Sequence, residues 1–216
     1  MPHFLHYTVH PLNPQPRLLG HAAGVIRAGG IAVLPTAAGY LPACRLDDKA
    51  ATARLARLAG TPERDPPVLL CRDLSQAAVY LRIDDDDFRA IRAGRPGDLA
   101  HTLPCTRRVP RRLAAAARGL ARLYFAGHTA TEALLAQFDE ALLLAPAAWG
   151  PGPESVDELP PRWQAGTDLA VDAGPLPEPA RDAFAPAATD APIAPDLPAE
   201  PGPSASLGRQ IACDSP

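Results

Sequence analysis

The sequence predicts an α/β domain with a substantially parallel sheet, followed by a Pro/Ala-rich tail. Three observations carry this reading. Short apolar runs that suit buried strands alternate with segments of helical period. A length of 216 residues with 47% apolar content suits one core and an appended segment. Beyond Gly174 the texture changes to "PLPEPARDAFAPAATDAPIAPDLPAEPGPSAS", which has no period. Prolines remove ladder donors and interrupt helices, so residues 175–216 read as a disordered, partly polyproline-like tail behind a domain at 1–174.

The elements follow in order. "QPRLLGHAAGVIRAGG" places Leu18, Leu19, Ala22, Val25 and Ile26 at helical spacing and stops at Gly29-Gly30. Strand "IAVLPT" comes next and runs into the turn "AAGY". In "DDKAATARLARLAG", Asp47 or Asp48 can cap a helix ending near Gly60. "PPVLLC" reads as a buried strand and "DLSQAAVYL" as a short helix. "DDDDFRAIRAG" is an acid-started helix, because carboxylates favour the positive end of the helix dipole. That accounts for Asp84–Asp87 better than a metal site does. "LAHTLP" and "LARLYF" are strands, and Thr129-Ala-Thr-Glu132 is a capping-box pattern opening "ATEALLAQF". "ALLLA" and "DLAVDAG" complete the strands.

Composition removes several function classes. A formal net charge of −3 gives the chain as a whole no attraction for nucleic acid. Lys49 is the one lysine among 21 basic residues, a compositional bias toward arginine. Cys44, Cys71, Cys105 and Cys213 have no CxxC spacing and read as reduced thiols, which suits the cytoplasm. No stretch approaches the ~20 apolar residues of a membrane helix. The start lacks a basic region followed by an apolar block, so no secretory leader is expected. His3, His6 and His10 lack acidic or thiol partners in their segment and read as surface histidines; no metal ligand set is expected.

A set of strings then points to a family. "HPLNPQPRL" (10–18), "GGIAVLPTAAGY", "CRLDDK", "LLCRDLS", "RPGDL" and "VPRRL" occur in that order. The chain resembles the YrdC-like family, most closely its YciO branch. The resemblance implies an open twisted mixed sheet flanked by helices around a concave, positively charged cleft. Members make threonylcarbamoyl-AMP from threonine, bicarbonate and ATP, with Mg accompanying the nucleotide, for tRNA threonylcarbamoyladenosine modification. Double-stranded RNA binding also belongs to the family. No resident cofactor is implied.

Activating a carbamate on ATP is electrostatic work, requiring cations and hydroxyl or amide donors at fixed positions. The resemblance assigns nucleotide or threonine contacts to Thr36 in the Pro-Thr turn, Tyr40 closing it, Arg57, Pro96 and Gly97. Other anchor positions have lost their polar groups. The turn carries Ala37 and Ala38, the second place of the basic pair is Ala59, and the threonine after Pro-Gly falls at Ala100, with His101 and Thr102 beside it. The arginine of a later strand falls at Tyr124, and a hydroxyl-rich turn becomes Leu144-Ala145-Pro146. Losing one preorganised donor costs about 3 kcal/mol of transition-state stabilisation, a rate factor of roughly 10² to 10³.

A local basic stretch survives. No acidic residue lies between Asp98 and Glu132, whereas Arg107, Arg108, Arg111, Arg112, Arg118 and Arg122 do. Arginine pairs bidentately with phosphate, so Arg107, Arg108, Arg111 and Arg112 are the expected RNA or anion surface. Two expectations result: a catalytically degenerate domain that binds RNA (double-stranded RNA or tRNA) or nucleotide, or an active synthase-type nucleotidyltransferase with altered anchors.

Overall fold

The computed structural model describes residues 4–60, 65–97, 100–145, 152–177, 183 and 184. Eight strands among these residues form one sheet: β1 (Leu5–Thr8), β2 (Ala32–Thr36), β3 (Gly39–Arg45), β4 (Val68–Leu70), β5 (His101–Pro104), β6 (Leu120–Tyr124), β7 (Leu142–Leu144) and β8 (Leu169–Asp172). Their order is β1-β8-β2-β3-β7-β4-β6-β5.

The sheet is mixed, not substantially parallel. β1/β8, β2/β8 and β4/β6 are parallel, while β2/β3, β3/β7, β4/β7 and β5/β6 are antiparallel. The cause is β3, a strand hidden in "GYLPACR". β2 returns through a tight hairpin in which Gly39 holds φ +96, a backbone that side chains resist. Pro42 marks where β3 leaves β7. Ala145 N donates to Pro42 O at 2.9 Å, but proline has no N–H to return the second bond of that pair.

Among the described residues, seven α-helices accompany the strands: α1 (Pro16–Arg27), α2 (Lys49–Ala59), α3 (Leu74–Tyr80), α4 (Asp85–Ala93), α5 (Arg111–Ala116), α6 (Thr129–Leu135) and α7 (Pro161–Gly166). Asp48 caps α2 and Asp73 caps α3, while Asp84 and Asp87 form a reciprocal capping box on α4. The box expected at Thr129 does not form. Thr129 is the first residue of α6, and His128 caps it by accepting the Ala130 N–H on Nδ1.

Strand residues alternate between two cores, one on each face of the sheet. Val68, Leu70, Leu142, Leu144, Tyr124 and Ala43 join α1 and α6 in the first. Leu69, Leu143, Leu123, Leu103 and Cys44 join α2, α3 and α4 in the second. Burial pushes the Cys44 and Cys71 thiols up to about 12, so both are inert as nucleophiles. His6 bonds Asp172 and His10 accepts the Leu12 and Asn13 amides; His3 and Cys213 lie outside the described residues. Of the expected tail, residues 175–177 and the pair Ala183 and Phe184 are described and the rest lies outside. Among the described residues no helix is long and apolar enough to cross a membrane.

Candidate functional site

The Pro-Thr turn between β2 and β3 is the natural starting point, and its polar groups are turned inward. Thr36 is buried. Its hydroxyl donates to Gly39 O at 2.7 Å and accepts the Ala38 N–H at 3.1 Å. Ala37 N donates to Ala126 O at 2.8 Å, and Tyr40 N donates to Pro153 O at 2.8 Å. Gly152 N donates to Ala38 O at 2.7 Å, so the turn is clasped between residues 126–127 and 152–153. Three backbone donors (Ala37, Ala38 and Tyr40) and the Thr36 hydroxyl are thus committed to neighbouring segments or to the turn itself.

Tyr40 is a structural knot. Its phenol donates to Gly174 O at 2.7 Å, lies 3.3 Å from Asp172 Oδ1 and accepts the Ala173 N–H at 2.9 Å. Burial, with Asp172 adjacent, raises its pKa above the ordinary tyrosine value.

Pro96 is exposed and Gly97 buried. Gly97 holds φ +90, and a Cβ there would overlap the Ala37 methyl. The glycine leaves room for the close approach of the Ala37 methyl. Asp98 and Leu99 lie outside the described residues.

Tyr124, at the expected arginine position, is fully buried, and its hydroxyl donates to Gly97 O at 3.3 Å. Its ring packs on Phe184 with centroids 4.8 Å apart. Ala100 N donates to Ala183 O at 2.8 Å, and Arg122 Nη1 donates to Phe184 O at 3.2 Å. Leu144 and Ala145 are buried; Pro146 is outside the described residues. On the first-core face of β5 and β6, Tyr124 packs with Phe184 and Ala100, and its hydroxyl reaches Gly97 beside the Ala37 turn.

The structure does not gather the expected cations around this wall. Arg57 is exposed in the last turn of α2, a helix of the second core, while Ala59 is buried in that core. Arg107, Arg108, Arg111 and Arg112 are exposed on the approach to α5 and its first turn. That segment is anchored by Val109 and Leu113 in the second core, whereas Ala38, Tyr40, Tyr124 and Ala126 belong to the first. Arg112 Nη2 donates to Leu46 O at 3.0 Å and lies 3.4 Å from Thr52 Oγ1, which ties α5 to α2. Arg108 acts on the Tyr80 phenol together with Glu140 and Asp47, so acidic groups share its surroundings.

Two residues near the turn went unread in the sequence. His128 follows the clasp at 126–127, and burial holds its imidazole below the usual pKa. Asp172 anchors Tyr40 from 132 residues away, a separation with no local signature.

Comparison with known proteins agrees with this geometry. The Sua5/YciO/YrdC family model, described as telomere recombination, matches residues 24–186. Protein YciO of Escherichia coli strain K12 is 33% identical over 172 residues, covering 78% of this chain and 83% of that protein. A threonylcarbamoyl-AMP synthase of Halorhodospira halophila is 32% identical over 134 residues, 62% of this chain and 70% of the synthase. The crystal structure of E. coli YciO superposes with a TM-score of 0.74 at 32% identity, covering 81% of this chain and 86% of that one. Sua5 of P. abyssi complexed with L-threonine shares the fold, with a TM-score of 0.71 at 20% identity over 80% of this chain and 51% of that one. With that breadth of match added to the hairpin turn and mixed sheet, the chain belongs to the Sua5/YciO/YrdC family.

Proposed function

We propose that this chain is a YrdC-like domain whose synthase turnover has been lost and whose remaining role is to bind RNA or nucleotide in the cytoplasm. The observation that carries the reading is the turn at Thr36–Tyr40. Its hydroxyl is bonded within the turn, its two central side chains are methyl groups, and the facing strand offers a buried Tyr124. Several preorganised donors at about 3 kcal/mol each are then missing from the path to an acyl-adenylate. The losses need not add, but one alone lowers a rate by roughly 10² to 10³.

The test is pyrophosphate release from ATP, bicarbonate and L-threonine with Mg present, on protein shown to be folded by circular dichroism. No turnover above the buffer rate is expected. Release at the rate of an authentic synthase run in parallel overturns the reading. The RNA arm is tested by binding of a tRNA and an RNA duplex against salt. Binding through Arg107, Arg108, Arg111 and Arg112 falls as salt rises, because phosphate contacts release counterions. Affinity indifferent to salt contradicts it.

The 32% identity with the H. halophila protein named as a synthase favours one second reading. In it the chain is a nucleotidyltransferase that still uses Thr36, Tyr40, Arg57, Pro96 and Gly97. Arg57→Ala then lowers pyrophosphate release, and an unchanged rate removes Arg57 from the site.

A further inference from the structure

We propose that the open edge of β1 is a self-association surface, where a second copy of this chain adds its own β1 antiparallel about a two-fold axis at Tyr7. The pairing needs neither RNA nor nucleotide.

The two edges of the sheet are finished differently. Along β5, Ala100 N donates to Ala183 O and Arg82 N to Pro104 O, each at 2.8 Å, and Leu81 bridges Cys105. Other segments of the chain thus cover that edge. β1 lies at the opposite end of the strand order, with β8 as its one neighbour among the described residues. Leu5 N donates to Asp168 O at 3.0 Å and Val9 N to Asp172 O at 2.7 Å, so Leu5, Tyr7 and Val9 turn their backbone groups toward β8. By alternation His6 and Thr8 turn theirs outward, where no backbone partner meets them among the described residues. Nor does β1 carry the devices that blunt an open edge: it has no proline, no lysine and no bulge in its register.

The parity of these groups suits a copy of the same strand. The free outer groups belong to His6 and Thr8, with Tyr7 between them. Beyond the strand the His10 amide is already held by Gln15 Oε1 at 3.2 Å. An antiparallel copy centred on Tyr7 sets His6 opposite Thr8 of that copy. Each such pair exchanges two N–H···O bonds, and the axis repeats them, so every outer donor and acceptor of both strands is used. Charge agrees with the pairing. β1 has no carboxylate, lysine or arginine, and His6 is held by Asp172 of its own chain at 2.8 Å. No like charges are opposed across the axis, because each histidine faces a threonine.

Apolar area flanks these bonds. Four large apolar side chains are exposed among the described residues, and two of them stand here: Leu5 at 38% and Leu12, just past the strand, at 79%. Leu5 and Tyr7 share the face on which Tyr7 meets His21 of α1, so the copy extends one row of apolar and aromatic groups through the axis. A four-residue strand and two leucines bury less than the ~1,200 Å² of a stable interface, which puts the dimer in the weak, concentration-dependent class.

Sedimentation of the full chain up to about 1 mM tests the surface. The mass rises from one chain to two and no further, since a two-fold contact closes on itself. Thr8→Pro removes an outward N–H that β8 does not use, and an edge strand tolerates proline at such a position. The variant keeps the wild-type urea midpoint and dimerises about tenfold or more weakly, because the axis makes one substitution cost two bonds. Register is read by cross-linking with diamide, against wild type as blank. Tyr7→Cys cross-links readily, because residues on the axis form a non-hydrogen-bonded pair with Cα atoms about 4.5 Å apart, within disulfide range. Thr8→Cys, opposed by His6, cross-links poorly, and this comparison decides the matter if Thr8→Pro fails to fold. A single-chain mass over the whole range leaves the edge to a foreign strand and overturns the proposal. So do masses beyond two chains, undiminished dimerisation of a folded Thr8→Pro, or equal cross-linking of the two cysteine variants.

Discussion

The turn between β2 and β3 and the turn leading into α5 stand on opposite faces of one sheet and treat polarity in opposite ways. At the first, both polar side chains and the Ala37 amide are folded back into the protein: Thr36 into its own turn, Tyr40 onto the end of β8, and Ala37 N onto Ala126. At the second, Arg107, Arg108 and Arg111 are exposed, and among the described residues the side-chain hydrogen bonds of this group come from Arg112, to Leu46 O and Thr52. The difference teaches that the polar groups of a turn can be spent on fixing its own packing or left to the solvent, according to what the turn packs against. The exposed arginines carry no such packing duty and remain available to a phosphate-bearing partner.

The contrast can be broken at the clasped turn first. Gly39 has φ +96, and a Cβ there would overlap the Gly152 carbonyl. Gly39→Ala is expected to cost about 3 kcal/mol, read as a lowered urea midpoint. A midpoint equal to wild type means that the clasp at 152–153 is not formed. Tyr40→Phe comes next, at about 2 kcal/mol, because Ala173 N and Gly174 O lose a buried partner. Equal stability of the two proteins would show that water replaces the phenol.

On the other face, Arg107→Ala with Arg111→Ala should leave stability within about 0.5 kcal/mol of wild type, as exposed substitutions do. RNA binding should weaken and its salt slope should fall by about two. A large loss of stability would show that these arginines are structural.

The smallest effect concerns pH. Burial holds His128 and His101 below the usual histidine pKa, so the unfolded chain binds protons more readily than the folded one. Their contribution is complete above the unfolded value of about 6.5 and is lost as pH falls toward the depressed folded values. His128→Asn keeps a capping oxygen for Ala130 N and removes one titrating group. Its unfolding free energy should therefore decline less between neutral and mildly acid pH. An identical decline would clear His128 of any part in it.

Helices α1, α2 and α4 were readable locally, since their periodicity, Asp48 and the Asp84–Asp87 box act within a few residues. β3 was not, because it is buried on both faces, shows no alternation and contains Pro42. α5 and α7 have six residues each, too few for a period to emerge. The Thr129 box misled because the helix begins one residue earlier than the pattern implies: His128 is the cap, accepting the Ala130 N–H, and Thr129 already lies in the first turn. Within the cleft, Thr36 and Gly97 were readable as turn residues. The bonds that tie these turns down from afar, Ala37 N to Ala126 O, Tyr40 N to Pro153 O and Tyr124 to Gly97 O, come from segments brought in by the sheet. The outward backbone groups of His6 and Thr8 required the register itself, which no single strand contains.

Strand order carries a consequence for how the chain is made. β8 lies between β1 and β2, so the last of the described strands separates the first two. As the polypeptide leaves the ribosome, Leu5–Thr8 has no ladder to join until Leu169–Asp172 has emerged and slid into the gap. Closure across so long a stretch is slow relative to the local hairpin of β2 and β3. Nascent chains thus wait with two open sheet edges at one end, and a chaperone that shields strand edges would find its client there.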